Sequence, residues 1–393
     1  MTQKRAPFSL LSFPVGPLGI IATEGSMDLA NKVNKWLIDK RNQVIKTSGD
    51  ILGEIPSTYI IKSRCPRFGN GESKGVIDES IRGKDIFIIV DVANYSCKYN
   101  FMGLENAMSP DDHFQDLKRI ISAIGGKAKR INVIMPFLYG GRQHKRMFRE
   151  SLDCAVALHE LENLGVSNII TFDAHDARVQ NAIPFVGFEN ILPYYQFIKA
   201  LVMDDENIHL DKENMVIVSP DEGGIHRNLY YSSLLGIDLG VFYKRRDFSQ
   251  VVNGRNPIIS HEFIGDDVEG KDILVIDDML SSGDSMLDLA YELKRRKAKS
   301  IYMAVTYALF TEGVDKFNEC YEKGVITRIF ATNLTYRRPE LETAKWFVEV
   351  DMSKYIAKII DALNYDESLG ALINPAQRII SLLEKHNARM SIN

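Results

Sequence analysis

The sequence predicts an α/β protein made of two similar domains, each built around a central parallel sheet and related by internal duplication. Three observations predict it. One phrase is written twice, RGKDIFIIVD at residues 82–91 and EGKDILVIDD at 269–278. Each copy is a Gly-Lys-Asp turn feeding an aliphatic strand that closes on an acid, and the copies lie nearly half the chain apart. Short aliphatic runs alternate with stretches at helical spacing, as crossover-connected sheets require. The runs themselves are rich in β-branched residues and apolar on both faces, the pattern of strands covered on both sides. A length of 393 residues suggests two domains.

Taken in order, the chain starts with an extension, 1–17. Its apolar stretch Phe8 to Ala22 is broken by Pro14 and Pro17 and is too short to span a bilayer, so it reads as a surface segment. A first domain is expected over 18–193 and a second over 194–393. The spacing predicts strands at Asn132–Pro136, Asn168–Asp173, Met215–Ser219, Leu239–Tyr243, Ile273–Asp277 and Ser300–Tyr307, with helices at Leu152–Leu164 and Ser285–Lys297. In the first copy of the repeat, Asp91 runs into VANYSCKYNFMGLENAMSPDDHFQ, which lacks a small-residue loop and reads as an insertion near residues 92–116.

Composition narrows the class. Hydrophobic residues at 45% and charged residues at 25% are ordinary for a globular protein with a sizeable core. A net charge of −4 argues against a nucleic-acid binder. Cys65, Cys97, Cys154 and Cys320 are scattered with no CxxC spacing, so neither a zinc site nor a disulfide framework is indicated. A reducing cytoplasm fits, and no membrane association is expected.

The most informative stretch is ILVIDDMLSSGDSM, residues 273–286. Asp277 and Asp278 follow a buried strand. Ser281, Ser282, Gly283, Asp284 and Ser285 then form a loop that opens a helix ending near Lys294-Arg295-Arg296. Ligands of open α/β sheets bind at such loops, and free N–H groups at the helix start suit a phosphate. Small side chains let an anion approach the backbone, while paired acids can accept hydrogen bonds from sugar hydroxyls or hold a divalent cation. A phosphorylated sugar fits both halves. An acidic pair by itself is equally explained as a solvated strand end with an N-cap.

Other constellations point the same way. VIVSPDEGGIHR, residues 216–227, ends a strand on Asp221 and a Gly pair, placed to touch a metal or a sugar, although turn chemistry alone also explains it. ITFDAHD, residues 170–176, sets His175 between Asp173 and Asp176, a metal or phosphate candidate. Lys244-Arg245-Arg246 closes the strand of GVFYKRRDFSQVVNG. Such a run is commonly a solvated face, but beside a phosphate loop it can neutralise a migrating phosphoryl group. YGGRQHKRMFRE, residues 139–150, supplies Arg142, Gln143, Lys145, Arg146 and Arg149, enough to hold a polyphosphate. FGNGESKG, residues 68–75, fits neither the dinucleotide nor the P-loop spacing.

In this order the pieces resemble the ribose-phosphate diphosphokinase, or phosphoribosyl-diphosphate (PRPP) synthetase, family. RFGNGESKGVIDESIRGKDIF looks like RFxDGE…VRGxDVF, and PFLYGGRQHKRMFRES looks like P[YF]xYxRQDRK…RE. VSPDEGG, FYKRR, VIDDMLSSGDS and DESLGALI are further landmarks. The resemblance implies two tandem type I phosphoribosyltransferase-like domains and transfer of a diphosphoryl group from ATP to ribose 5-phosphate with Mg²⁺. By the same resemblance Lys244 and Arg246 are catalytic, and His175 and Asp221 bind metal. Phe68, Asn70, Glu72, Arg142 and Gln143 bind ATP, and Asp277, Asp278 and the 281–285 loop bind ribose 5-phosphate. A cytoplasmic homo-oligomer is expected. The chain departs from the pattern at Ser281 and Asn70, where acids are usual, at His144 in place of the Asp of RQD, and in DAHDARVQNAI, where DLHAxQIQGFF is usual. Two alternatives stand beside this reading: a non-catalytic subunit resembling the PRPP synthetase-associated proteins, and a PRPP-consuming phosphoribosyltransferase, whose single domain would leave half the chain without a role.

Overall fold

The computed structural model describes residues 13–48, 55–146, 148–246 and 258–390, with the backbone alone at 47–48, 244–246 and 258–261. The chain divides into two compact units. In the first, five strands, β1 (Leu18–Ala22), β2 (Asp85–Ile89), β3 (Arg130–Ile134), β4 (Asn168–Phe172) and β5 (Gly187–Ile191), form a parallel sheet in the order β1-β2-β3-β4-β5. On the outer side of β1, Ile20 N donates to Tyr59 O and Ile61 N to Ile20 O, both at 2.8 Å. Helices α1 (Met27–Ser48), α2 (Pro110–Ile124) and α3 (Asp153–Asn163) belong to this unit. Helix α2 begins where it does because Ser109 and Asp112 form a reciprocal capping box ahead of Pro110, and it stops at the left-handed Gly125. Its buried face, Phe114, Leu117 and Ile121, joins Ile86, Ile88 and Val90 in the core.

The second unit holds a seven-stranded sheet of β6 (Met215–Ser219), β7 (Leu239–Arg246), β8 (Ile258–Ile264), β9 (Asp272–Leu280), β10 (Ile301–Ala308), β11 (Arg328–Thr332) and β12 (Phe347–Val350). Their order is β8-β7-β6-β9-β10-β11-β12, parallel except for β8 against β7. The chain thus steps outward from β6 to β7 and β8, then crosses back to lay β9 on the other flank of β6. That reversal opens a crevice at the carboxyl ends of β6 and β9. Helices α4 (Tyr194–Asp204), α5 (Ile225–Leu235), α6 (Asp284–Arg295) and α7 (Asp315–Glu322) belong here. After β12 the chain returns to the first unit with α8 (Ser353–Asn364), which packs on α1. Buried Asn364 donates to Gly16 O at 3.1 Å and Asp85 Oδ2 at 3.0 Å, and its carbonyl accepts from Val15 N at 2.8 Å. Lys40 and Arg41 of α1 pair with Asp361. The last helix, α9 (Ala376–Met390), rejoins the second unit against α4.

The duplicated phrase has duplicated geometry. Gly83 and Gly270 have φ of 72° and 74°. Each donates its N–H at 3.0 Å to a lysine carbonyl, of Lys127 and Lys297 respectively. The following lysines bond alike, Lys84 N to Ile81 O and Lys271 N to Val268 O, at 3.1 and 3.2 Å. Only glycine adopts that left-handed backbone at no steric cost.

The expected strands and helices are present, with shifted ends that have physical causes. β9 runs to Leu280 because it stays paired with β10 through Leu280↔Ala308, after its ladder with β6 has stopped opposite Val275. Asp277 and Asp278 therefore lie within the strand and not beyond it. β7 extends to Arg246 through its pairing with β8. The insertion after Asp91 folds as a hairpin, Lys98–Phe101 with Leu104–Ala107. Among the described residues no helix is long and apolar enough to cross a membrane.

Candidate functional site

In the second unit, Asp277 and Asp278 stand where β9 has lost its neighbour β6. Asp278 N donates to Asp277 Oδ1 at 2.9 Å. Burial, the adjacent Asp278 and then Asp221 push the Asp277 carboxyl well above the usual carboxylate range, against a lowering pull from Arg227. Arg227 reaches both acids, with nitrogen to oxygen distances of 3.5 Å to Asp277 and 3.8 Å to Asp278. It sits in the first turn of α5, in a part of VIVSPDEGGIHR to which the sequence analysis assigns no role. Asn228, next to it and fully buried, donates to Gly224 O at 2.9 Å and Ile276 O at 3.0 Å. It staples the start of α5 to the strand that carries the acids, which fixes the guanidinium in front of them. Asp221 accepts from Gly224 N at 3.1 Å and lies at the end of β6, on the same crevice.

The loop that follows is short. Ser281 O accepts from Thr311 N at 3.1 Å, Ser282 Oγ donates to Asp284 Oδ2 at 2.8 Å, and Lys316 pairs with Asp284. Ser285 is exposed. α6 opens on Gly283, at φ 93° and without a side-chain cap. Its first N–H groups are donors that an anion can use. The sequence suggested that Gly283 leaves space for a ligand. The structure gives a different reason: a Cβ there would lie 2.1 Å from Phe317 of the core, and the φ itself disfavours any side chain.

Lys244 and Arg246 lie at the end of β7, opposite His261 and Ile258. Their side chains lie outside the described part of the structure. The register shifts between Arg245 and Arg246, so the strict alternation of a regular strand is interrupted there.

In the first unit, Phe68, Asn70 and Glu72 form a tight turn. Phe68 N donates to Glu72 O at 2.7 Å, Gly71 N to Phe68 O at 2.8 Å, and Asn70 Nδ2 to Glu72 Oε2 at 2.8 Å. Phe68 is 51% exposed, an aromatic face open to a flat ligand. The insertion hairpin buttresses this turn: Met102 N donates to Gly69 O at 3.1 Å, and the Arg67 guanidinium lies 4.6 Å from the Tyr99 ring centre. Arg142 and Gln143 are exposed after Gly140, and Gln143 N donates to Gly140 O at 2.7 Å. His175 is exposed just beyond β4, with the His144 ring 5.3 Å from its own. Asp173 between strand and histidine has φ 41°, a strained backbone of the kind kept at functional positions.

Residues 18–165 match the family model described as the N-terminal domain of ribose phosphate pyrophosphokinase, and residues 196–328 match the phosphoribosyl transferase domain. The chain belongs to the ribose-phosphate pyrophosphokinase family. The Vibrio cholerae ribose-phosphate pyrophosphokinase is 28% identical over 313 residues, covering 78% of this chain and 90% of that protein. The Mycoplasma genitalium one is 25% identical over 328 residues, covering 83% and 90%. A crystal structure of phosphoribosylpyrophosphate synthetase from Mycobacterium smegmatis superposes with a TM-score of 0.70 at 20% identity, over 89% of this chain and 99% of that one, and shows the shared fold. Against the family pattern, Asn70 still bonds Glu72 as an acceptor and as a donor, so the missing acid leaves the turn intact. Ser281 contributes a backbone carbonyl to the loop and stands where the family pattern has an acid.

Proposed function

We propose that the protein is a ribose-phosphate diphosphokinase, converting ATP and ribose 5-phosphate to PRPP and AMP. The observation that carries this reading is the acid pair of β9, faced by Arg227 and followed at once by an uncapped helix start, at the one crevice where the second sheet reverses its order. Carboxylates suit the 2- and 3-hydroxyls of a ribose, and the N–H groups of α6 with Ser282 and Ser285 suit its 5-phosphate. In the reaction the anomeric oxygen bonds to the β-phosphorus, the bridge between the α- and β-phosphoryl groups breaks, AMP departs, and the hydroxyl proton is released. Lys244 and Arg246 are proposed to neutralise the charge that moves during transfer, while Phe68, Asn70, Glu72, Arg142 and Gln143 hold the nucleotide.

Mg²⁺ is the proposed cofactor, with His175 and Asp221 as protein ligands; when bound it offsets phosphate charge. Among the described residues no three ligand side chains converge to hold a metal. That agrees with a cation brought in on nucleotide phosphates, the usual habit of Mg²⁺. Free thiols at all four cysteines support a cytoplasmic setting, and a homo-oligomer is proposed, to be read by light scattering. The deciding experiment incubates purified protein with Mg-ATP and ribose 5-phosphate and measures AMP and PRPP together. Equal amounts are expected; AMP without PRPP, or neither, rejects the reading, and the absence of both favours a non-catalytic subunit.

A further inference from the structure

We infer that His144 and His175 together form a two-nitrogen cation site, so that the metal position proposed above for Mg²⁺ binds a transition-series divalent ion such as Mn²⁺ more tightly. The inference rests on the proposed function in one respect: the ion is shared with phosphate oxygens of the nucleotide, water and the other protein ligand proposed above.

The geometry comes first. The two imidazole centres are 5.3 Å apart with their planes inclined at 58°. Metal to imidazole-nitrogen bonds of about 2.1 Å at angles near tetrahedral put two ring centres roughly 5 Å apart, so the pair is spaced for one ion. His144 is the less exposed of the two, its side chain 11% accessible. Its Nδ1 is buried without a hydrogen-bond partner. A polar nitrogen in that condition costs stability unless something outside the chain uses it. The other nitrogen, Nε2, lies 3.5 Å from Asp176 Oδ2, beyond a good hydrogen bond but close enough for the carboxylate to orient the ring. Arg178 holds that carboxylate in place, its Nε donating to Asp176 Oδ1 at 2.9 Å.

The chemistry then selects the ion. Mg²⁺ is a hard cation that prefers oxygen and near-octahedral water-rich surroundings. Imidazole nitrogen raises affinity along the first transition series, beginning with Mn²⁺. The RQD segment of the family carries a carboxylate where this chain has His144, so this chain offers nitrogen at a position where oxygen is usual.

Pulsed electron paramagnetic resonance of Mn²⁺ bound to the full-length protein with a methylene-bridged ATP analogue counts the coupled imidazole nitrogens. Two are expected in the wild type and one in both His144→Asp and His144→Gln, the second variant guarding against a folding defect in the first. The apparent preference for Mn²⁺ over Mg²⁺ in ion titrations should fall about tenfold in His144→Asp, the lower end of what a metal-site partner contributes. One nitrogen or none in the wild type overturns the inference, as do two nitrogens in both variants. PRPP formation by the wild type with either ion is scored separately, so failure of the cation site and failure of the proposed activity are distinguishable.

Discussion

Asp91 and Asp278 occupy the same point of the two repeated strands, and their surroundings differ in kind. Asp91, 3% exposed, accepts from Ala93 N at 3.0 Å, Thr335 Oγ1 at 3.2 Å and Tyr336 N at 2.9 Å. Its own N–H donates to Ser26 Oγ at 2.6 Å. A segment returning from late in the chain has filled this strand end with protein groups. In the second unit the acid has a second acid beside it and a guanidinium at 3.5 and 3.8 Å, and the next residues are a serine-glycine loop. One copy is closed and serves the fold. The other is electrostatically unsettled, the condition found where a ligand completes a site. Similar strand ends thus diverge in function through what packs against them, and the contrast can be tested by moving charge in each.

The largest effect is expected from Asp277→Asn combined with Asp278→Asn. Hydrogen bonds to charged groups contribute about 1.5–3 kcal/mol each, so kcat/KM for ribose 5-phosphate should fall about a thousandfold. Removing like charges should leave thermal stability unchanged or higher, which calorimetric melting would check. A loss of activity confined to the ATP side would break the comparison.

Asp91 should behave in the opposite sense, as a term in stability. Burial pushes its carboxyl up to about 7 from the ordinary 3.8, against the hydrogen bonds that lower it. The folded state then binds more protons than the unfolded state between those values, so folding stability should decline as pH rises from about 4 to 7. The decline is on the order of 4 kcal/mol across the window and is complete above it. Denaturant unfolding of Asp91→Asn at several pH values should show that slope flattened, with kinetic constants little changed.

Arg227→Met sharpens the second half of the contrast. Without the guanidinium the Asp277 carboxyl rises further, since Arg227 is what lowers it. The acid limb of the pH profile for ribose 5-phosphate should move to higher pH, with a loss of roughly thirtyfold near neutrality, about 2 kcal/mol. An unmoved limb would show that Arg227 is only structural. Ser281→Asp, which restores the acid usual in the family, should be the mildest change, altering the KM for ribose 5-phosphate by less than about threefold because the loop holds Ser281 by its backbone carbonyl, which the substitution keeps.

Much of this contrast was legible in the sequence. The repeat gave both strands and both acids, and Met215–Ser219 was placed to the residue, because aliphatic periodicity and small-residue loops are local signals. What was not legible depends on partners distant in sequence. Arg227 becomes a site residue only through the rotation of α5, which Asn228 fixes by bonding Ile276 O. β9 continues past its acids only because β10 runs beside it. The pairing of His144 with His175 joins loops after two different strands, and no spacing rule connects them.

The return of α8 to the first unit has a consequence for how the protein is made. Asp85, wholly buried at the start of β2, gets one of its hydrogen bonds from Asn364, which also ties down Val15 and Gly16. A ribosome adding about 5–20 residues per second needs roughly ten to thirty seconds after Leu192 to deliver that asparagine. Throughout that interval the nascent first unit lacks its last helix, and α1 presents to chaperones or proteases the face that α8 will cover. Premature stops before Ser353 should therefore damage the half of the protein that was synthesised first.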